Sequence, residues 1–163
     1  MGDPVGGITK TVRSPTAETT AALGSKLAAS RAPRAERLIV VYLTGDLGAG
    51  KTTLARGFLH ALGITGAIRS PTYTLLETYE TAAVTVVHLD LYRLQDTAEL
   101  EPLGLRDLAL PGHVWLVEWP ERGEGRLPAA DVHIALTVGE GAHQIVLRGL
   151  SEPGVAWVQR MSA

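Results

Sequence analysis

Three observations predict an α/β fold: a three-layer P-loop nucleoside triphosphatase fold with a mainly parallel central sheet and an antiparallel flank. Apolar, β-branched runs alternate with helix-period segments along the chain, as in strand–helix–strand units. One such run, Leu38-Ile39-Val40-Val41-Tyr42-Leu43, leads into Gly45-Asp46-Leu47-Gly48-Ala49-Gly50-Lys51-Thr52-Thr53 and then into a helical stretch. Strand, glycine loop and helix form the context that a G-x-x-x-x-G-K-[ST] loop requires. Near the C-terminus, 132–138 and 144–148 alternate like a hairpin.

Each element has its own signal. Residues 1–7 are rich in Gly and Pro and read as frayed, and residues 8–12 read as a short strand. Ser14-Pro15 predicts an N-cap with proline at the first helical position, opening a helix that runs to about Ser30. Its inward side is expected to carry Ala17, Ala21, Leu27 and Ala28. The basic cluster from Arg31 to Arg37 is broken by Pro33 and Glu36 and reads as a solvated loop. After the glycine loop, Leu54, Phe58, Ala61 and Leu62 fall on one helical face. A loop over 63–69 precedes Ser70-Pro71-Thr72, which opens a strand pair, 73–79 and 84–89. Asp96-Thr97-Ala98-Glu99 has the form of a capping box. His113-Val114-Trp115-Leu116-Val117-Glu118 is a second apolar run ending in an acid, followed by a loop over 120–128. A short helix closes the chain.

Composition narrows the function. A chain of 163 residues suits one domain, 1–163, with a full core. The net charge of −2 supplies no bulk attraction to nucleic acid. There is no cysteine, so thiolate metal sites and thiol nucleophiles are excluded. No run of 18 apolar residues spans a membrane and no apolar leader stands at the N-terminus, which together predict a cytoplasmic protein.

The glycine loop is where the chemistry starts. Glycines let the backbone wrap a phosphate chain, and successive N–H groups with the helix N-terminus attract it. Residues Gly45, Asp46, Leu47, Gly48, Ala49, Gly50, Lys51, Thr52 and Thr53 are therefore expected to bind a nucleoside triphosphate. Lys51 would meet the β/γ-phosphates and the Thr52 hydroxyl a Mg²⁺. The run Val84-Thr85-Val86-Val87-His88-Leu89-Asp90 ends in a carboxylate with the shape of a Walker B acid. Asp90 would reach the metal directly or through water, or else cap the turn before Tyr92-Arg93. Glu118 is a second acid at the sheet's C-terminal edge, where open α/β folds bind ligands. One of the two would hold the metal and the other orient or deprotonate the attacking water. Trp119 is either a platform for the base or a core indole. Thr72 is like a switch threonine that meets Mg²⁺ only while the γ-phosphate is present. His88, inside an apolar strand, reads as a hydrogen-bonded structural histidine. Arg69 and Arg93 read as solvated or structural rather than as arginine fingers. The chain contains no asparagine, so the N-K-x-D guanine reader does not exist and the nucleotide is expected to be ATP.

Taken together, GDLGAGKTT at 45–53, SPTY at 70–73, HLDLYR at 88–93, EWP at 118–120 and Leu127-Pro128 closely resemble the TsaE (YjeE) family of bacterial ATPases. That family works in forming threonylcarbamoyladenosine at adenosine 37 of tRNAs reading codons that begin with A. The resemblance runs from about Ala21 to about Pro128; 1–13 and 139–163 match no firm pattern. It implies ATP and Mg²⁺ as cofactors, with Thr52 and Glu118 on or near the metal and Asp90 beside it. It further implies Trp119 by the base, Ala17 closing over it, and Glu121 touching the nucleotide. The implied partners are the TsaB–TsaD pair, with tRNA met only through them. Two rivals stand beside this reading: a small-molecule or nucleotide kinase, with 121–126 as its lid, and a nucleotide-binding scaffold without useful turnover.

Overall fold

The apolar runs that read as buried strands become the middle of one sheet. A computed structural model describes residues 7–32, 36–66, 68, 71 and 73–161. In chain order the elements are β1 (Thr9–Ser14), α1 (Ala17–Ser30), β2 (Ile39–Thr44), α2 (Lys51–Ala61), β3 (Leu76–Glu80), β4 (Thr85–Asp90), β5 (His113–Glu118), β6 (Val132–Val138), β7 (His143–Gly149) and α3 (Glu152–Arg160). The 3₁₀ turns Thr97–Leu103 and Leu105–Leu108 lie between β4 and β5, and Pro120–Gly123 follows β5. The sheet order is β1-β7-β6-β2-β5-β4-β3. The four inner strands β6, β2, β5 and β4 are parallel; on one edge β3 pairs antiparallel with β4, and on the other β7 pairs antiparallel with both β6 and β1. The expected antiparallel flank is thus present on both edges.

Alternation along each strand separates two cores. Val41, Leu43, Val86, Leu116, Ile134 and Leu147 face α1, α2 and α3. Val40, Val87, Leu89, Trp115 and Val117 face the other way, where leucines of the 3₁₀ turns cover them. All three α-helices therefore lie on one face, and short turns form the third layer. Phe58, fully buried against Trp157, anchors the helical side, and truncating such a residue to alanine costs about 3–5 kcal/mol. No helix among the described residues is long and apolar enough to cross a membrane.

Several local expectations are corrected. The first helix is capped by Thr16, not Ser14. Thr16 Oγ1 accepts from the Thr19 amide at 3.1 Å, and Ala17 is the first helical residue, leaving Pro15 outside. Ser14 Oγ instead meets Thr19 Oγ1 and Thr20 Oγ1, each at 2.6 Å, tying β1 to the helix. The inward face of α1 is Thr20, Leu23, Gly24, Leu27 and Ala28; Ala17 is exposed. On α2 the buried face is Lys51, Leu54, Ala55, Gly57, Phe58 and Leu59, and Ala61 is exposed. The third strand begins at Leu76 rather than Tyr73, which sits in a turn with 85% of its surface exposed. The expected capping box forms on a 3₁₀ turn: Asp96 Oδ1 accepts from Ala98 N at 2.9 Å and Glu99 Oε2 from Asp96 N at 2.9 Å. The frayed reading of 1–7 falls almost wholly outside the described residues.

Candidate nucleotide site

β2 lies between β5 on one side and β6 on the other, both parallel to it. From β2 the chain passes over β5 to β3 and β4, returns to β5, and then crosses β2 to reach β6, so the connections leaving β2 and β5 run in opposite directions and open a crevice at the carboxyl ends of these strands. The glycine loop occupies that end of β2. Gly45 has φ +142°, and a Cβ there would lie 2.3 Å from the Leu136 carbonyl oxygen of β6, so no larger residue fits. Gly50 is the N-cap of α2 in the left-handed region, with φ +106°.

The three α-helices differ at their starts. Thr16 caps α1 and Ser151 caps α3 through side-chain oxygens, but α2 has no side-chain cap. Its first-turn N–H groups and the positive end of its dipole face a cleft of about 460 Å³. Leu47, Gly48, Gly50, Lys51, Thr52, Thr53, Arg56, Asp90, Tyr92, Arg93, Glu118 and Trp119 line it.

Lys51 is 5% exposed. Its Nζ donates to the carbonyls of Gly45 and Asp46 and lies 4.4 Å from the centre of the Trp119 ring. Burial pushes this ammonium below its ordinary value, while the carboxylates of Glu118, Glu121, Asp90 and Asp46 pull the other way. Thr52 Oγ1 donates to Glu118 Oε1 at 2.8 Å. Glu118, 2% exposed, holds His88 Nε2 with its other oxygen at 2.6 Å. Asp90 stands opposite Glu118 in the β4–β5 register. Asp90 Oδ1 accepts from the Tyr92 amide at 3.0 Å, so it caps the next turn and lines the cleft at once.

The remaining expected residues are spread more widely. Trp119, at φ +58°, packs on Tyr92 with ring centres 5.0 Å apart and walls the Lys51 end of the cleft. Ala49 is buried, and its carbonyl receives the Nδ1 proton of His143 at 2.8 Å. Ala17 opens α1, whose first turn reaches the loop through Thr20: its methyl would lie 3.2 Å from a Cβ at Gly50. Glu121 is exposed and lines an adjoining hollow with Tyr42, Thr44 and His133. Arg93 lies over the Tyr73 ring at 4.9 Å. Thr72 and Arg69 lie outside the described residues. Sequence reasoning missed Arg56, which lines the cleft and donates from Nε to Ile68 O at 2.6 Å. It also missed His143 and Tyr92. The Tyr92 signal was present, one residue before Arg93, whereas His143 is far along the chain from Ala49 and nothing local marks it. Among the described residues no three His, Cys, Asp or Glu side chains form a metal cluster; Thr52, Asp90 and Glu118 bring oxygen-bearing side chains to the cleft.

Known proteins are similar to this chain in sequence and in fold. A family model described as threonylcarbamoyl adenosine biosynthesis protein TsaE matches residues 11–145. The tRNA threonylcarbamoyladenosine biosynthesis protein TsaE of Haemophilus influenzae is 49% identical over 112 residues, covering 69% of this chain and 71% of that protein. The protein of the same name from Bacillus subtilis is 42% identical over 97 residues, 60% of each chain. The crystal structure of Bacillus subtilis YdiB superposes with a TM-score of 0.73 at 28% identity, over 95% of both chains.

Proposed function

The chain belongs to the TsaE family of threonylcarbamoyl adenosine biosynthesis proteins, and from that premise we propose that it is a P-loop ATPase. In this reading it binds ATP with Mg²⁺ and hydrolyses it in the cytoplasm, serving with TsaB–TsaD the formation of threonylcarbamoyladenosine on tRNA. One observation carries the reading: Lys51, Thr52, Asp90 and Glu118 converge at the N-terminus of α2, which among the described α-helices is the one without a side-chain cap.

Each group has a task. The open N–H groups of α2 and the glycine loop receive the phosphate oxygens. Lys51 already donates to its own loop, and phosphate oxygens are stronger acceptors for its ammonium than those backbone carbonyls. The hydroxyl and two carboxylates suit Mg²⁺, a hard ion that keeps waters and takes few protein oxygens. When bound, that ion would neutralise charge on the phosphates. Thr52 and Glu118, already in contact, would hold it, with Asp90 beside them. Asp90 or Glu118 would orient or deprotonate the attacking water. With a net charge of −2, the chain meets tRNA through its partners rather than by gripping the backbone.

ATP hydrolysis measured with and without TsaB–TsaD tests this. The expected result is slow turnover alone and a partner-driven gain of roughly 10³-fold, the scale reached when a partner completes such a site. Thr72→Ala should lose most of the gain while keeping ADP binding. No stimulation of the wild type would overturn the partnership, and no nucleotide binding would overturn the site.

A further inference from the structure

We propose that His88 is a positioning residue, holding the Glu118 carboxylate so that Oε1 faces Thr52 and the cleft. The proposal rests on the nucleotide reading above. His88 and Asp90 lie two apart on β4 and so share its helix-covered face, the face on which Val86 and Leu116 pack. His88 is fully buried there, where an apolar side chain would fill the space. Its Nε2 lies 2.6 Å from Glu118 Oε2, and its Nδ1 has no hydrogen-bond partner. Burying an unpaired ring nitrogen opposes folding, so the imidazole is not explained by core stability. What it supplies is a donor to Glu118.

Glu118 needs that donor. It is almost wholly buried at the end of β5, and its two oxygens point to different partners, Thr52 and His88. Without the imidazole, Oε2 would lose its 2.6 Å contact, and the buried carboxylate would be freer to turn away from Thr52. The Thr52–Glu118 pair expected to receive Mg²⁺ would then lose its set geometry. Groups that orient a ligand in this way typically change metal affinity by about 10- to 100-fold when removed.

The test compares His88→Leu, which removes the donor, with His88→Gln, whose amide nitrogen can stand near the Nε2 position. Nucleotide affinity is titrated in EDTA and in Mg²⁺, with thermal unfolding alongside. His88→Leu should keep the EDTA affinity and lose about tenfold of the Mg²⁺-dependent gain, and His88→Gln should recover most of it. In partner-stimulated hydrolysis the Leu variant should show the same loss as a raised KM for ATP at limiting Mg²⁺. Affinity lost equally in both buffers, or a full Mg²⁺ gain in the Leu variant, overturns the proposal. A wild type that binds no nucleotide in either buffer overturns the nucleotide reading and this proposal with it. Should the Leu variant not fold, nitrogen-15 spectra of the wild-type imidazole decide. The His88 Nε2 signal should shift when Mg²⁺ joins bound nucleotide and stay fixed with nucleotide in EDTA; indifference to Mg²⁺ overturns the assignment.

Discussion

The Nζ of Lys51 lies 4.4 Å from the centre of the Trp119 ring while donating to the carbonyls of Gly45 and Asp46. The side chain is thus folded onto the loop it belongs to, with an indole against its charge. Any ligand that draws the ammonium outward changes the surroundings of that indole. Trp115 and Trp157 are buried away from the cleft and give a constant background.

Lys51→Ala should weaken nucleotide binding by roughly 10- to 100-fold, the loss of one or two charge-assisted hydrogen bonds. Thr52→Ala should chiefly raise the Mg²⁺ concentration needed for binding. Trp119 fluorescence titrations measure both, and full partner-stimulated hydrolysis in both variants would remove the phosphate-loop assignment.

ATP should bind more tightly than GTP, because a chain without asparagine has no N-K-x-D element to read guanine. The preference is expected to be about tenfold, or roughly 1.4 kcal/mol. Competition titrations with the two nucleotides decide it, and equal or tighter GTP binding refutes the adenine reading.

Replacing Asp90 or Glu118 by alanine should lower hydrolysis by about 10²-fold or more. Folding should change less than the rate for Asp90, at a strand end beside the cleft, and more for Glu118, whose loss also takes the carboxylate from the buried His88. Unfolding curves collected with the rates separate the two effects. A variant that merely unfolds would assign the acid to structure.

Gly57→Ala tests the helix crossing that brings α1 to the loop. A Cβ at Gly57 would lie 2.0 Å from the Ala21 carbonyl oxygen, a backbone atom that moves only with its helix. The cost should be about 1–3 kcal/mol. For a chain of this size each of these lowers Tm by about 2–4 °C, which calorimetry will read.

His133 should make stability depend on pH. Burial and the charge of Arg148 lower its pKa, with Glu121 opposing, and its Nε2 meets Thr44 Oγ1 at 2.7 Å. The unfolded chain therefore takes up a proton near pH 6.5 before the folded protein does. Stability is complete above that pH, falls as pH drops toward the folded pKa, and levels off below it. His133→Gln should flatten this part of the denaturation profile; an unchanged slope would assign it to other groups.

Local signals were enough for much of the architecture. β5 and β6 keep the predicted bounds, and the Asp96–Glu99 capping box forms, because period, apolar runs and caps act within a few residues. The glycine loop and α2 were legible for the same reason: spacing and side-chain type suffice to define a strand–loop–helix unit. The start of α1 was not, since Ser14 spends its hydroxyl on Thr16, Thr19 and Thr20 and leaves the cap to Thr16. Nor was the covering of one sheet face by 3₁₀ turns, which depends on where scattered leucines meet.

By itself the sequence determined that a G-x-x-x-x-G-K-T loop, two strand-end acids and a following tryptophan exist, and in what order. Only the tertiary structure decided that Glu118 joins Thr52 to His88, that His143 meets Ala49, and that Trp119 lies against Lys51. Those contacts follow from the pairing of strands far apart in the chain. Parallel register is set by the whole core, so no local pattern encodes which side chains it brings together.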